Sequence, residues 1–318
     1  MSLFQRYSKN PVLPCTSSTW EHQGSFNGCP IRSFDGYHML YRAQSESITV
    51  QKKDLEISSI GHAISFDRVS FINRRQLITP TESWERFGCE DPRVTQIDDT
   101  FYICYTGLAT WPPTPGGISA GIATTKDFFT IDHKYHATPF NSKALTLFPE
   151  TINGSYAALI TANSDLPPST IGIMYAKAIS DFWNHDAWNS WYSTLATHEV
   201  PLLRTHHDHV EIGAPPIRLD EGWLLLFSYI KSYNTSHKFF GIEAALLDFN
   251  NPQRIIKRTS DPLLFPEMEY ERIGNIPNVI FPSGALVHND TLGLYYGAAD
   301  TTTCLATCSV KELLRHMK

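Results

Sequence analysis

The sequence predicts an all-β fold, a five-bladed β-propeller spanning residues 1–318 as one domain. Three observations carry that prediction. Helix signals are sparse, and short alternating runs are broken by Gly, Pro, Asn and Asp. Three strand phrases recur five times in the same order. The recurrences lie roughly 60–70 residues apart, the signature of a repeat architecture.

The first phrase of each unit is polar-tipped: FNGCPIRSF (26–34), GCEDPRVTQI (88–97), LFPETIN (147–153), EIGAPPIRL (211–219) and IFPSGALV (280–287). A hydrophobic strand follows: YHMLYRA (37–43), TFYICYTG (100–107), SYAALITA (155–162), GWLLLFSY (222–229) and TLGLYYGAA (291–299). A third strand completes each unit, from IGHAISFDRVSF (60–71) to the degenerate TCLATCSVKELL (303–314). A unit of three or four strands cannot bury both faces alone, and a ring of units solves this by packing blade on blade. The first phrase then lines the central axis. Aligned there are Asn27, Asp91, Glu150, Glu211 and Ser283, with Glu90 and Arg93 beside Asp91.

Charged residues converging on an axis are costly unless wetted or paired. Either they pair with one another and seal the channel, or they hold a polyhydroxylated ligand and perform acid–base work. Buried charge pairs are weak sources of stability, which favours the second reading. A small oligosaccharide is the expected partner. Aromatic residues make up 12% of the chain. They suit sugar platforms and β-cores alike.

Composition excludes other classes. Net charge is −6 and the pI is about 6.1, with no Lys/Arg run to bind nucleic acid. No run of 18 apolar residues suggests a membrane span, and MSLFQRYSKNPVLPC has no apolar leader core. A cytoplasmic enzyme is the expectation. The six cysteines contain no CxxC pair, so neither a zinc site nor a disulfide scaffold is expected, and no cofactor is required. One metal alternative exists. His207, His209 and Glu211 share a face if HHDHVE is extended. Alternatively His209 or His207 orients Glu211. Trp183, Trp188 and Trp191 either floor a sugar subsite or pack a blade edge, and the Pro112–Gly117 stretch reads as a rim loop.

Motifs along nearly the whole chain resemble glycoside hydrolase family 130, the β-mannoside phosphorylases and mannosidases. They include RYSKNPVL (6–13), FNG (26–28), LYRA (40–43), CEDPR (89–93), LFPE (147–150), IGAPPI (212–217), YERIGNIPNVIFPSGA (270–285) and LYYGAADT (294–301). The resemblance implies an inverting attack on a β-D-mannoside. It implies Asp91 as the acid, its proton relayed through the mannosyl 3-hydroxyl. It also implies that Asn27, Arg42, Arg93 and Asp300 hold the mannose.

The family's phosphorylases need an anion site. The resemblance places basic residues after FPE, after the next strand, before IGAPP and after GWLL. Here those places hold Thr151, Thr161 with Asn163, Glu211, and Phe227-Ser228-Tyr229. A phosphate dianion needs charge-assisted donors. The expectation is therefore hydrolysis, with Glu211 as base for water, Glu150 and His209 nearby, and Glu269 or Glu271 assisting. Two alternatives remain: a phosphorylase recruiting Lys143, Lys177, Arg204, Lys231 or Lys238, and a glycan-binding propeller without catalysis.

Overall fold

The structure, a computed structural model, describes residues 3–50 and 53–318. The chain is all-β, built from consecutive antiparallel units. The first runs through Gly24–Ser33, Gly36–Gln44, Ser58–Ser65 and Ile72–Ile78. The second is Gly88–Ile97, Thr100–Leu108, Ile118–Thr125 and His133–His136. The third holds Ser142–Leu147, Tyr156–Ala162 and Thr170–Ala176. The fourth is His209–Ile212, Trp223–Lys231, Phe239–Leu247 and Ile255–Arg258. The fifth is Ile280–His288, Thr291–Ala298 and Thr302–Ser309, and its outer strand is Gln5–Arg6 from the N-terminus.

Among the described residues, no sheet closes on itself. Single parallel bridges, Ser25 to Thr302 and Ser58 to Gly88, join the fifth unit to the first and the first to the second. The remaining cohesion is side-chain packing. Strand periodicity explains it, because successive residues point to opposite faces. In Tyr156–Ala162, Ala157 and Leu159 pack against the fourth unit while Ala158 and Ile160 pack against the second. In Trp223–Lys231, Leu224 and Leu226 face the fifth unit while Leu225 and Phe227 face the third. Leu40 joins a cluster with the second unit, and Met39 and Tyr41 join one with the fifth. The middle strands are apolar on both faces because both faces are covered.

Trp188 and Trp191 are buried in the cluster between the second and third units, and Trp183 stacks on Tyr135 at 4.3 Å. These tryptophans pack the blade edge; they do not floor the polar site. Five of the six cysteines are buried and all six are free thiols.

Candidate active site

The site starts from two bulges. Register shifts between Phe26 and Cys29 and between Glu90 and Arg93. The residues inside the shifts, Asn27 and Asp91, have φ of 52° and 51°. Asn and Asp tolerate this left-handed region better than most residues, and a bulge re-aims a side chain out of the ladder. Pro92 has no N–H to waste there. The two re-aimed side chains meet: Asn27 Nδ2 donates to Asp91 Oδ1 at 2.7 Å. Asn27 Oδ1 is buried and unpartnered, and it lies where any Cβ on Gly297 would sit.

Arg42 knits the carboxylates. Its Nη2 pairs with Glu90 at 2.6 Å, Nη1 lies 3.8 Å from Asp91, and Nε donates to Ser58 Oγ at 2.9 Å. Burial raises the Glu90 pKa and Asp91 adds to the rise, against the pull of Arg42. Asp300 sits in a left-handed turn with φ of 47°. Burial pushes its carboxyl up to about 6, helped by Asp91, Glu90 and Glu211 and opposed by Arg42. A cleft of about 330 Å³ opens here, lined by Phe26, Arg42, Gln44, Asn275 and Asp300 among others. Arg93 behaves differently. It donates to the carbonyls of Asp91, Ile212 and Gly213 at 2.8, 2.8 and 2.7 Å. It bridges to the fourth unit through backbone, not through a carboxylate.

The opposite side is built from the third and fourth units. Lys143 begins a third bulged strand, whose register shifts between Lys143 and Thr146. Its Nζ pairs with Asp165 Oδ1 at 3.0 Å. Burial alone would lower the Lys143 pKa, but Glu211, Asp165 and Glu90 outweigh it and hold the ammonium charged. His209 is fully buried, and its Nε2 lies 3.1 Å from Glu211 Oε1. Tyr233 stacks on His209 with centroids 4.1 Å apart and planes 12° apart. Burial raises the Tyr233 hydroxyl pKa, and Glu211 adds to it.

Residues 26–318 match the family model described as beta-1,4-mannooligosaccharide phosphorylase. The chain belongs to glycoside hydrolase family 130. It is 31% identical over 320 residues to a 1,2-beta-oligomannan phosphorylase of Thermoanaerobacter sp. strain X514, covering 98% of this chain and 99% of that protein. It is 30% identical to a beta-1,4-mannooligosaccharide phosphorylase of Ruminococcus albus, covering 98% and 90%. A beta-1,2-mannobiose phosphorylase from Listeria innocua, solved with beta-1,2-mannobiose, superposes with a TM-score of 0.80 at 26% identity, over 98% of each chain.

These relatives overturn the expectation of hydrolysis, because they are phosphorylases. The physical error lay in treating Glu211 as an isolated charge reversal. Lys143, on a neighbouring strand, supplies positive charge against Glu211. The sequence offers Lys143 as one candidate cation among five, and only the packing of strands from separate sheets singles it out.

Two site residues expected from the sequence also lie apart from this cluster. Glu150 follows the strand Ser142–Leu147, past its far end, and pairs with Arg218 at 2.9 Å. The repeat alignment displaced the third unit: its bulge falls at Ala144, with φ of 54°, not at Glu150. Glu271 is fully buried and accepts from Arg6 Nε at 2.7 Å, Tyr296 Oη at 2.8 Å and the Glu267 and Met268 amides. It anchors the N-terminal segment. Asn27, Arg42, Glu90, Asp91 and Asp300 do come together, as do His209 and Glu211. His207 instead lies against His206, with rings 3.8 Å apart. Among the described residues, no three His, Cys, Asp or Glu side chains are grouped to hold a metal ion. No helix among them is long and apolar enough to cross a membrane.

Of the candidate cations, Lys143 faces the cluster. Arg204 is taken by Glu243 through two bonds of 2.7 and 2.6 Å, and Lys177 is exposed beside Ser155. Asp165 and Tyr233 were not visible to sequence reasoning. Asp165 carries no motif, and Tyr233 sits in a polar turn after a strand.

Proposed function

We propose that the protein is an inverting β-mannoside phosphorylase, releasing α-mannose 1-phosphate from a β-linked manno-oligosaccharide. Its five units form the blades of a single catalytic propeller around the Asp91–Glu211 funnel. The ring reading rests on the five apolar clusters, which lie between consecutive units and between the fifth and the first.

Asp91 is the acid. Arg42 and Asp300 hold the sugar, with hydroxyls meeting the guanidinium and the Asp300 carboxyl, and Asn27 fixes Asp91 from behind. Phosphate attacks the anomeric carbon from the face opposite the leaving oxygen. The C1–O bond breaks as the proton of Asp91 passes to that oxygen, through the mannosyl 3-hydroxyl. Phosphate's negative charge meets the Lys143 ammonium. The observation that carries the reading is this cation, held charged in the funnel beside Glu211. It supplies the charge-assisted donor that an oxyanion nucleophile requires.

The test is product analysis on β-1,2- and β-1,4-mannobiose with and without phosphate. Turnover should require phosphate and yield α-mannose 1-phosphate. Free mannose as the sole product at an undiminished rate without phosphate would end the reading.

A further inference from the structure

Lys143 carries three N–H donors on a flexible four-carbon stem. Left untethered among carboxylates, it would collapse onto Glu211 or Glu90. Neither makes an ion pair with it here; its ion-pair partner is Asp165. The Asp165 carboxylate is itself clamped. Oδ1 takes the Lys143 ammonium, and Oδ2 accepts from Asn141 Nδ2 at 3.1 Å and from Ser164 Oγ at 2.8 Å. The Asp165 amide donates back to Asn141 Oδ1 at 2.9 Å. Asn141 is fixed in turn, since its Nδ2 also donates to Pro115 O at 3.0 Å, on the rim loop. Burial would raise the Asp165 pKa, but Lys143, Asn141 and Ser164 outweigh it, so the tether stays ionised.

We propose that Asp165 is a positioning residue that holds the Lys143 ammonium clear of Glu211 and Glu90, leaving two of its N–H donors for a tetrahedral oxyanion. This rests on the phosphorylase reading above. A carboxylate beside an anion site otherwise only repels. Here its repulsion is offset because it organises the cation on the Glu211 side of the site. Asn141 and Ser164 extend the device to a third layer, so the site's affinity for phosphate depends on residues that need not touch it.

The experiment is phosphorolysis of mannobiose at varied phosphate, for wild type, Asp165→Ala and Asp165→Asn, with melting temperatures recorded. Asp165→Ala should raise the phosphate KM by about tenfold or more, as expected when a charge-assisted donor loses its preorganisation. Its kcat at saturating phosphate and its mannoside KM should stay within about threefold, since uniform binding of one substrate is what is lost. Asp165→Asn should fall between the two, because the amide oxygen still accepts from Lys143. An unchanged or lowered phosphate KM in Asp165→Ala would overturn the proposal by showing that Asp165 only repels the anion. A parallel rise in both KM values with a lowered melting temperature would also overturn it, in favour of a scaffold role. Wild type that turns over without phosphate would instead remove the phosphorylase reading and this proposal with it.

Discussion

The two sides of the funnel solve the problem of buried charge differently. On the Asn27–Asp91 side, one guanidinium serves several carboxylates, and local backbone geometry aims the groups. Asn27 and Asp91 occupy equivalent bulges in neighbouring units, and Arg42 bridges Glu90 and Asp91. On the Lys143–Glu211 side, a single ammonium stands among Glu90, Asp165 and Glu211, and its place is set by a tether rather than by a bulge alone. On the phosphorylase reading proposed above, the first side would grip a neutral sugar and the second would admit and release an anion. Rigid recognition is written into short contiguous motifs. Adjustable charge is assembled from segments around 143, 165, 209–211 and 233.

The sharpest break of this comparison is Asp91→Asn. Removing the proton donor without changing shape should lower kcat by about 10³-fold, within the usual range for general-acid groups. The melting temperature should move little, and steady-state kinetics on unactivated mannobiose together with a thermal melt check both. Near-normal turnover would move the acid elsewhere.

Lys143→Ala strikes the other side. Loss of the cation should cost about 10²-fold in kcat/KM for phosphate, the scale of one buried charge-assisted contact. The mannoside KM should shift far less. Equal damage to both substrates would mean that the two sides are not separable.

Gly297→Ala tests the packing behind the sugar side. The new Cβ would overlap Asn27 Oδ1, forcing the bulge residue from Asp91. A loss of about tenfold in kcat/KM is expected, since small misplacements of a positioning group are expensive. The control is Gly116→Ala, where a Cβ meets nothing within 4 Å. If the two variants behave alike, Asn27 does not position the acid.

The smallest effect is a pH-dependent stability shift at Asp300. Burial pushes its carboxyl up to about 6 in the folded chain, from an ordinary value of 3.8. The folded state therefore favours the protonated form. That contribution is fully present below about pH 4 and is lost as the pH rises through 6. At one to two pH units above that, the penalty is at most about 3 kcal/mol, the attraction to Arg42 being already included. Asp300→Asn should therefore raise the melting temperature by a few degrees at pH 7.5 and by much less at pH 4.5, while weakening mannoside binding. A gain of equal size at both pH values would place the Asp300 penalty somewhere other than ionisation.

Much of the architecture was legible before any coordinates. Repeated strand phrases, broken by turn residues, report a β-fold of consecutive units, because a period of two and short turn spacing are local properties of the chain. The CEDPR stretch likewise announced polar residues at the head of an innermost strand, and the structure joins Asn27, Arg42, Glu90, Asp91 and Asp300 there. Glu150 misled because LFPE resembles the other unit openings, although it is the exit of its strand. Glu271 misled because a buried carboxylate reads the same in sequence whether it meets a ligand or, as here, Arg6.

What the sequence by itself determined, then, is the β-pattern, the succession of strand units and the polar CEDPR motif, each encoded within a short stretch of chain. The tertiary structure decided which charges stand near Glu211. Coulomb interaction depends on distance in space and on the dielectric between charges. Lys143 is 68 residues away along the chain but is brought to Glu211 by strand packing, so a partly buried ammonium stands near a glutamate that the linear sequence shows alone.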